Sequence, residues 1–263
     1  MQNQDIREAA SSLAKAWVAA GDLPSMPPDR QRPKDREEAY AIQDEMARLI
    51  GRRTLGWKMG ATSPAISRRE GHSGPIIGRV LEGTVFHTPA ELPASRFPNA
   101  RIEAEFAAVL REDLPPRPRP YTREDIIGKV TIHPSIEIIG NRYPKLPQPP
   151  KLSTFDEIAD NGTGIGVVLG KAMEGWTEQE LQNLRIDIRV NHGESAENVL
   201  GDDRCIPISV VVDTANILSK RGIGMLQGQF ISTGGMTIPQ NVTRGSHFLA
   251  RYGDYGAIEG KFV

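Results

Sequence analysis

From residue 54 to the C-terminus, short apolar runs alternate with clusters of glycine, proline, asparagine and aspartate. Runs of that length bounded by turn residues read as strands. The candidates are 55–59, 102–110, 136–139, 165–169, 186–190, 199–200, 230–232, 248–252 and 258–263. Helical patterns between them are few. Thr122 caps a short one, and Thr154 with Glu157 makes a capping box for another. Pro207 opens a longer one that runs through Val211, Ala215 and Leu218 to a stop at Gly222. Strands that do not alternate with long helices exclude a doubly wound parallel sheet. The 26 glycines and 20 prolines in 263 residues supply the punctuation of a turn-rich β fold.

The first fifty residues read differently. Ile6, Ala9, Ala10, Leu13, Trp17 and Val18 recur at helical spacing, and Gly21 stops the pattern. A proline-rich connector, 22–32, leads to an Asp35/Glu38 capping box. Ala39, Ile42, Met46 and Leu49 then form the stripe of a second helix, which Gly51 ends. A helical segment over 1–53 and a β-rich core over 54–263, in one continuous unit, are expected. The proline-rich stretch 143–150 is expected to be a rigid loop, a wall or lid beside a site.

Lysine and arginine number 32 against 33 aspartates and glutamates, a net charge of −1. Such balance excludes a polybasic nucleic-acid binder or membrane anchor. The longest apolar stretches, 206–212 and 164–170, fall far short of the roughly 18–20 residues of a membrane span. Arg7, Glu8 and Lys15 interrupt the first apolar stretch, so it does not read as a signal peptide. The lone Cys205 permits neither an internal disulfide nor a thiolate metal cage. A cytoplasmic protein is expected.

Chemistry concentrates in three segments. In Arg101-Ile102-Glu103-Ala104-Glu105-Phe106, a strand places Glu103 and Glu105 on one face, about 7 Å apart, and Ile102, Ala104 and Phe106 on the other. The two carboxylates fit either a hard divalent cation or a solvated strand face. Glu137 lies among apolar neighbours in Ser135-Ile136-Glu137-Ile138-Ile139, so it needs a cation or an ion pair, for instance with Arg142. Three glutamates on two strands form an all-oxygen set suited to Mg2+ or Mn2+. Lys58, between Trp57 and Met59 and bracketed by Gly56 and Gly60, fits a substrate-carboxylate anchor or proton donor, or a snorkelling lysine on a strand edge. Asp160-Asn161-Gly162-Thr163-Gly164 reads as a turn. Gly234-Gly235-Met236-Thr237 could present amides to an anion. The spacing of Gly162, Gly164 and Gly166 is not a dinucleotide fingerprint, and the five histidines lack zinc spacing.

In this order the segments resemble the 2-keto-4-pentenoate hydratase / 4-oxalocrotonate decarboxylase family of the fumarylacetoacetate hydrolase superfamily. The matching blocks include Ala39-Tyr40-Ala41-Ile42-Gln43, Gly56-Trp57-Lys58-Met59-Gly60-Ala61-Thr62-Ser63, Ile102-Glu103-Ala104-Glu105-Phe106 and Pro134-Ser135-Ile136-Glu137-Ile138. Ala159-Asp160-Asn161, Val168-Leu169-Gly170, Val199-Leu200-Gly201, the stretch 232–237 and Arg251-Tyr252-Gly253-Asp254-Tyr255-Gly256 follow, so nearly the whole chain is covered. The resemblance implies an α+β fold: a β roll preceded by N-terminal helices, assembled as a homo-oligomer. It implies metal ligands Glu103, Glu105 and Glu137, an active-site Lys58, and pocket residues Asn161 and Thr237.

The implied activity is a metal-dependent lyase, a hydratase that adds water to a 2-hydroxy-2,4-dienoate to give a 4-hydroxy-2-oxo acid in aromatic catabolism. Decarboxylation of a 2-oxo-enedioate such as 4-oxalocrotonate is the alternative, and a complex with a decarboxylase or hydratase partner belongs to the same picture. An acylpyruvate hydrolase would carry a His–Glu pair on a lid, and the sequence identifies none. A non-catalytic paralogue sits poorly with the intact glutamates and lysine. Two blocks depart from the family: Ser73-Gly74-Pro75-Ile76-Ile77-Gly78 stands where relatives often have Asp-Tyr-Gly, and Gly245-Ser246 where many have Gly-Asp.

Overall fold

The computed structural model describes residues 1–63, 67–68, 71–145 and 152–263, with Asp202 described by its backbone alone. Helix α1 (Asn3–Ala19) buries Ala9, Ala10, Leu13, Ala14 and Trp17. It ends one residue earlier than Gly21 suggests: Ala20 adopts the left-handed conformation (φ 52°), and the Gly21 amide closes onto the Ala16 carbonyl at 3.0 Å. Helix α2 (Arg36–Ile50) begins at Asp35, whose carboxylate accepts from the Glu38 amide at 2.9 Å. The reciprocal half of the expected box is absent. The Glu38 carboxylate takes the Lys34 amide and the Met1 amine instead. Val18 and Leu49, expected in the buried stripes, are exposed.

Two sheets follow. The larger comprises β1 (Thr54–Gly60), β2 (Ile76–Leu81), β3 (Val85–His87), β5 (Arg101–Leu110), β6 (Val130–Ile139), β7 (Gly164–Leu169) and β9 (Phe230–Ser232), with β10 (Gln240–Asn241) paired to β5. Its order is β2-β1-β9-β5-β6-β7-β3. The smaller, β4-β12-β11-β8, joins β4 (Ala90–Leu92), β8 (Asp187–Val190), β11 (His247–Arg251) and β12 (Ala257–Phe262). The result is a mixed α+β fold with a curled sheet and N-terminal helices, as the sequence implies. Helix α6 (Pro207–Lys220) buries Ile208, Val211, Ala215 and Leu218 in one cluster with Ala104, Phe106 and Ala108 of β5. Each buried Ile, Val, Leu or Phe among them contributes about 1.5–3 kcal/mol. That burial commits the opposite face of β5, the one bearing Glu103 and Glu105, to the site.

The short helices α3 (Arg123–Ile126), α4 (Thr154–Ala159) and α5 (Glu178–Asn183) each begin with a capping box. At α4 the box lies one residue before the expected pair. Ser153 and Asp156 bond reciprocally, which releases Thr154 to contact His72 Nδ1 at 3.3 Å and frees Glu157 for the cavity. Helix α5, boxed by Thr177 and Glu180, was not expected, nor were β2, β3, β4 and β10. Residues 199–200 do not form a strand. Asn198 makes a single bridge to Thr237, and the Val199 amide donates to the Met236 carbonyl at 2.8 Å. Of the expected loop 143–150, Tyr143 is buried and donates to the Asp156 carbonyl at 3.1 Å, while residues 146–151 lie outside the described residues.

Gln43 fastens the helical pair to the core. Its amide nitrogen donates to the Ile77 and Ile158 carbonyls, both at 2.8 Å, joining α2 to β2 and α4. Asp44 adds ion pairs to Arg79 of β2 and Arg221 after α6, and the Arg79 guanidinium stacks over Trp57. Among the described residues no helix is long and apolar enough to cross a membrane.

Candidate metal centre and active-site cavity

Antiparallel register brings the carboxylates together. Strands β5 and β6 pair Glu103 with Glu137 and Glu105 with Ser135. Residues opposite one another point to the same face, so all three glutamates share it. One carboxylate oxygen from each lies within 4.8 Å of the others. Glu105 is 1 % exposed, so the solvated-face alternative fails for it, while Glu103 beside it is half-buried at the cavity wall.

The Glu137–Arg142 pairing raised by the sequence also fails. Arg142 turns to Asp160, donating to its carboxylate at 2.6 Å. Glu137 faces Lys58 instead, with Nζ 3.6 Å from Oε1. Lys58 is no edge snorkel: β1 lies between β2 and β9, and the side chain is 5 % exposed. Burial works against its charge, but the carboxylates of Glu137, Glu105 and Glu103 outweigh that cost and raise its pKa. It is therefore held as an ammonium.

Glu105 is oriented by its neighbours. Ser232, paired with Lys58 across β1 and β9, donates its hydroxyl to Oε2, and the Gly234 backbone also bonds the carboxylate. Of the amides expected to meet an anion at the 234–237 turn, that of Gly234 thus serves an internal one, while that of Met236 bonds the Ala104 carbonyl. Even so, burial first, and then the charges of Glu137 and Glu103, push the Glu105 carboxyl well above the usual carboxylate range. Among the described residues, Oε1 of Glu105 and Oε1 of Glu137 are buried without a hydrogen-bond partner. Two orphaned carboxylate oxygens beside a third carboxylate fit a hard, oxygen-seeking cation.

Close backbone approach makes room for this cluster. A Cβ on Gly235 would lie 2.5 Å from Glu103 Oε2, and one on Gly164 2.9 Å from Glu137 Oε1. Asn161 and Thr237 have different placements. The Asn161 side-chain amide brackets the Arg79 backbone, accepting from its N–H and donating to its carbonyl, both at 2.7 Å. That amide is thereby used within the fold, and it sets Gly162 against the Lys58 stem. Thr237 lines the cavity, while its hydroxyl accepts from the Ala104 amide at 3.0 Å.

Lys58, Glu103 and Glu137 open onto a cavity of 780 Å3, whose wall also carries His72, Arg101 and Glu157. His72 Nε2 lies 3.7 Å from Glu157 Oε2. Sequence reasoning missed these three, along with Ser232, and the His72–Glu157 pair corrects the expectation that the chain carries no His–Glu pair, the ground on which an acylpyruvate hydrolase was set aside. His72 and Glu157 stand 85 positions apart, so no spacing could reveal their meeting. Arg101, by contrast, has the same strand parity as Glu103, a signal that was available. Cys205 is buried, donates to the Thr233 carbonyl, and has its thiol pushed up to about 12 by burial, so it is inert.

Fold and site together define a member of the fumarylacetoacetate hydrolase superfamily. The chain belongs to the 2-keto-4-pentenoate hydratase / 4-oxalocrotonate decarboxylase family of enzymes. It is 32 % identical over 235 residues to the 2-oxo-hept-4-ene-1,7-dioate hydratase of Escherichia coli, covering 86 % of each chain. It is 30 % identical over 232 residues to a 4-oxalocrotonate decarboxylase of Pseudomonas putida, covering 86 % of this chain and 85 % of that one. The 4-oxalocrotonate decarboxylase of Pseudomonas putida G7, solved with magnesium and adipate, superposes with a TM-score of 0.85 at 25 % identity, covering 100 % of this chain and 99 % of that one. The fumarylpyruvate hydrolase of Pseudomonas aeruginosa, solved with Mn2+ and pyruvate, shares the fold alone, with a TM-score of 0.53 at 17 % identity over 79 % of this chain and 88 % of that one. No protein-family model matches the chain.

Proposed function

We propose that the protein is a divalent-metal-dependent lyase that hydrates a 2-hydroxy-2,4-dienoate to a 4-hydroxy-2-oxo acid in aromatic catabolism. The observation that carries this reading is the convergence of the Glu103, Glu105 and Glu137 carboxylates, with buried oxygens on Glu105 and Glu137 that have no hydrogen-bond partner among the described residues and Lys58 at ion-pair distance from Glu137. Glu103, Glu105 and Glu137 would hold Mg2+ or Mn2+, which supplies Lewis-acid stabilisation of enolate charge.

The chain's own groups do the rest. Lys58, 3.6 Å from Glu137 on the cavity wall, anchors the acid's carboxylate or 2-oxygen or assists proton transfer as the dienol ketonises. Ser232 and the Gly234 backbone fix Glu105, while Gly162 lies against the Lys58 stem. Net hydration adds hydroxyl at C4 and a proton at C3 of the conjugated ketone. Thr237 forms wall, and its hydroxyl keeps β5 in register.

Decarboxylation of a 2-oxo-enedioate is the second reading, supported by the full-length likeness to the Pseudomonas putida G7 enzyme. A cytoplasmic location, a homo-oligomer and association with a partner enzyme complete the proposal; the buried, unbridged Cys205 is in keeping with a reducing compartment. Purified protein with Mg2+ or Mn2+ is expected to consume the ultraviolet absorbance of such a dienoate without releasing CO2. Release of CO2 from 4-oxalocrotonate would select the second reading, and inertness toward a panel of both classes would refute the proposal.

A further inference from the structure

Among the described residues three basic side chains line the cavity, and they are not equivalent. Lys58 faces Glu137 at 3.6 Å, and His72 faces Glu157 at 3.7 Å. Arg101 has no hydrogen-bonding or ion-pairing side chain among the described residues, although Glu197 lines the same cavity. It stands two residues before Glu103 in β5, hence on the same face and about 7 Å further along the strand. Arg101 is exposed and lines the same cavity as Glu103 and Glu137. Its planar fork matches a carboxylate through two parallel N–H bonds, a geometry an ammonium cannot reproduce.

We infer that Arg101 receives the distal carboxylate of a dicarboxylic 2-oxo acid whose 2-oxo carboxylate end lies at the glutamate cluster. This rests on the proposed function and narrows it to dioate substrates. It also bears on the choice of reaction. A distal carboxylate held by a guanidinium is stabilised as the anion, which opposes its departure as CO2. Arg101 therefore favours hydration of a dioate over loss of that same carboxylate.

The test uses two non-reacting probes that differ only at the far end, 2-oxoadipate and 2-oxohexanoate. Each is titrated calorimetrically into the Mg2+-loaded protein. Wild type is expected to bind 2-oxoadipate about 10- to 100-fold more tightly, the range for a charged hydrogen-bonded contact. In R101A the ratio is expected to collapse toward unity, and in R101K to recover in part. R101Q is read in the same way if R101A does not fold. Both probes binding with a ratio that R101A leaves unchanged, or with equal affinity to wild type, overturns the role of Arg101 and spares the proposed function. Neither probe binding to the metal-loaded protein overturns both.

Discussion

Glu103 of β5 and Glu137 of β6 are direct partners in the antiparallel ladder, two carboxylates face to face in a half-dry site. Like charges so placed destabilise a sheet. With Glu105 completing the group, a divalent cation turns that repulsion into attraction. Thermal denaturation is expected to show a rise in Tm on adding Mg2+ to EDTA-treated protein, corresponding to about 2.7 kcal/mol at 100 times Kd. In E105Q the rise is expected to shrink or vanish.

Lys58 lies at ion-pair distance from Glu137, with both side chains buried. Removing one partner of a buried ion pair costs about 3–5 kcal/mol, because the other charge is left stranded. K58M is therefore expected to lose that order of stability in urea unfolding with EDTA present, and to regain part of it with Mg2+. An unchanged urea midpoint in EDTA would argue against the pairing.

Gly235 offers a gentler perturbation. Its missing Cβ is the space that Glu103 Oε2 occupies, at 2.5 Å from where the carbon would be. The neighbour is the tip of a flexible side chain, so G235A displaces a carboxylate more than it strains the fold. Mn2+ affinity, followed by calorimetry, is expected to fall about 10- to 100-fold, the cost typical of disturbing a ligand's support. Affinity equal to wild type would mean that Glu103 does not need this position.

The Arg32–Asp156 pair gives a pH signature remote from the metal cluster. Burial opposes the Asp156 charge, but Arg32, which bonds both carboxylate oxygens, and Ser153 hold its pKa below the ordinary value. A lowered folded-state pKa contributes stability above the unfolded value, near 4, and loses it as pH falls through the folded value. The gap in urea midpoint between wild type and R32M is expected to be full at neutral pH and to close below about pH 4. A gap independent of pH would place the effect of Arg32 in packing rather than charge.

Much of the fold was legible because the strands carry their own punctuation, and the glutamates because strand parity fixes which face a side chain takes. What stayed hidden depends on tertiary partners. Strand β6 begins at Val130, six residues before its apolar run, because Pro134 masked it. That proline is tolerated since β7 pairs only from Ser135 onward. Residues 199–200 have a strand's composition but no strand to pair with. Asn161 lies in a matching block, yet its amide is used on the Arg79 backbone, a contact that no local pattern reports. His72, Glu157 and Arg101 reach the cavity from three separate segments, and their meeting there is a property of the fold.

The central claim is that Glu103, Glu105 and Glu137 hold one divalent cation. Equilibrium titration of Mn2+ into metal-free protein, read by electron paramagnetic resonance, tests it most directly. The structure predicts one tightly bound ion per chain in wild type and its loss in E105Q and E137Q. Binding of the same stoichiometry and affinity in both variants would contradict it.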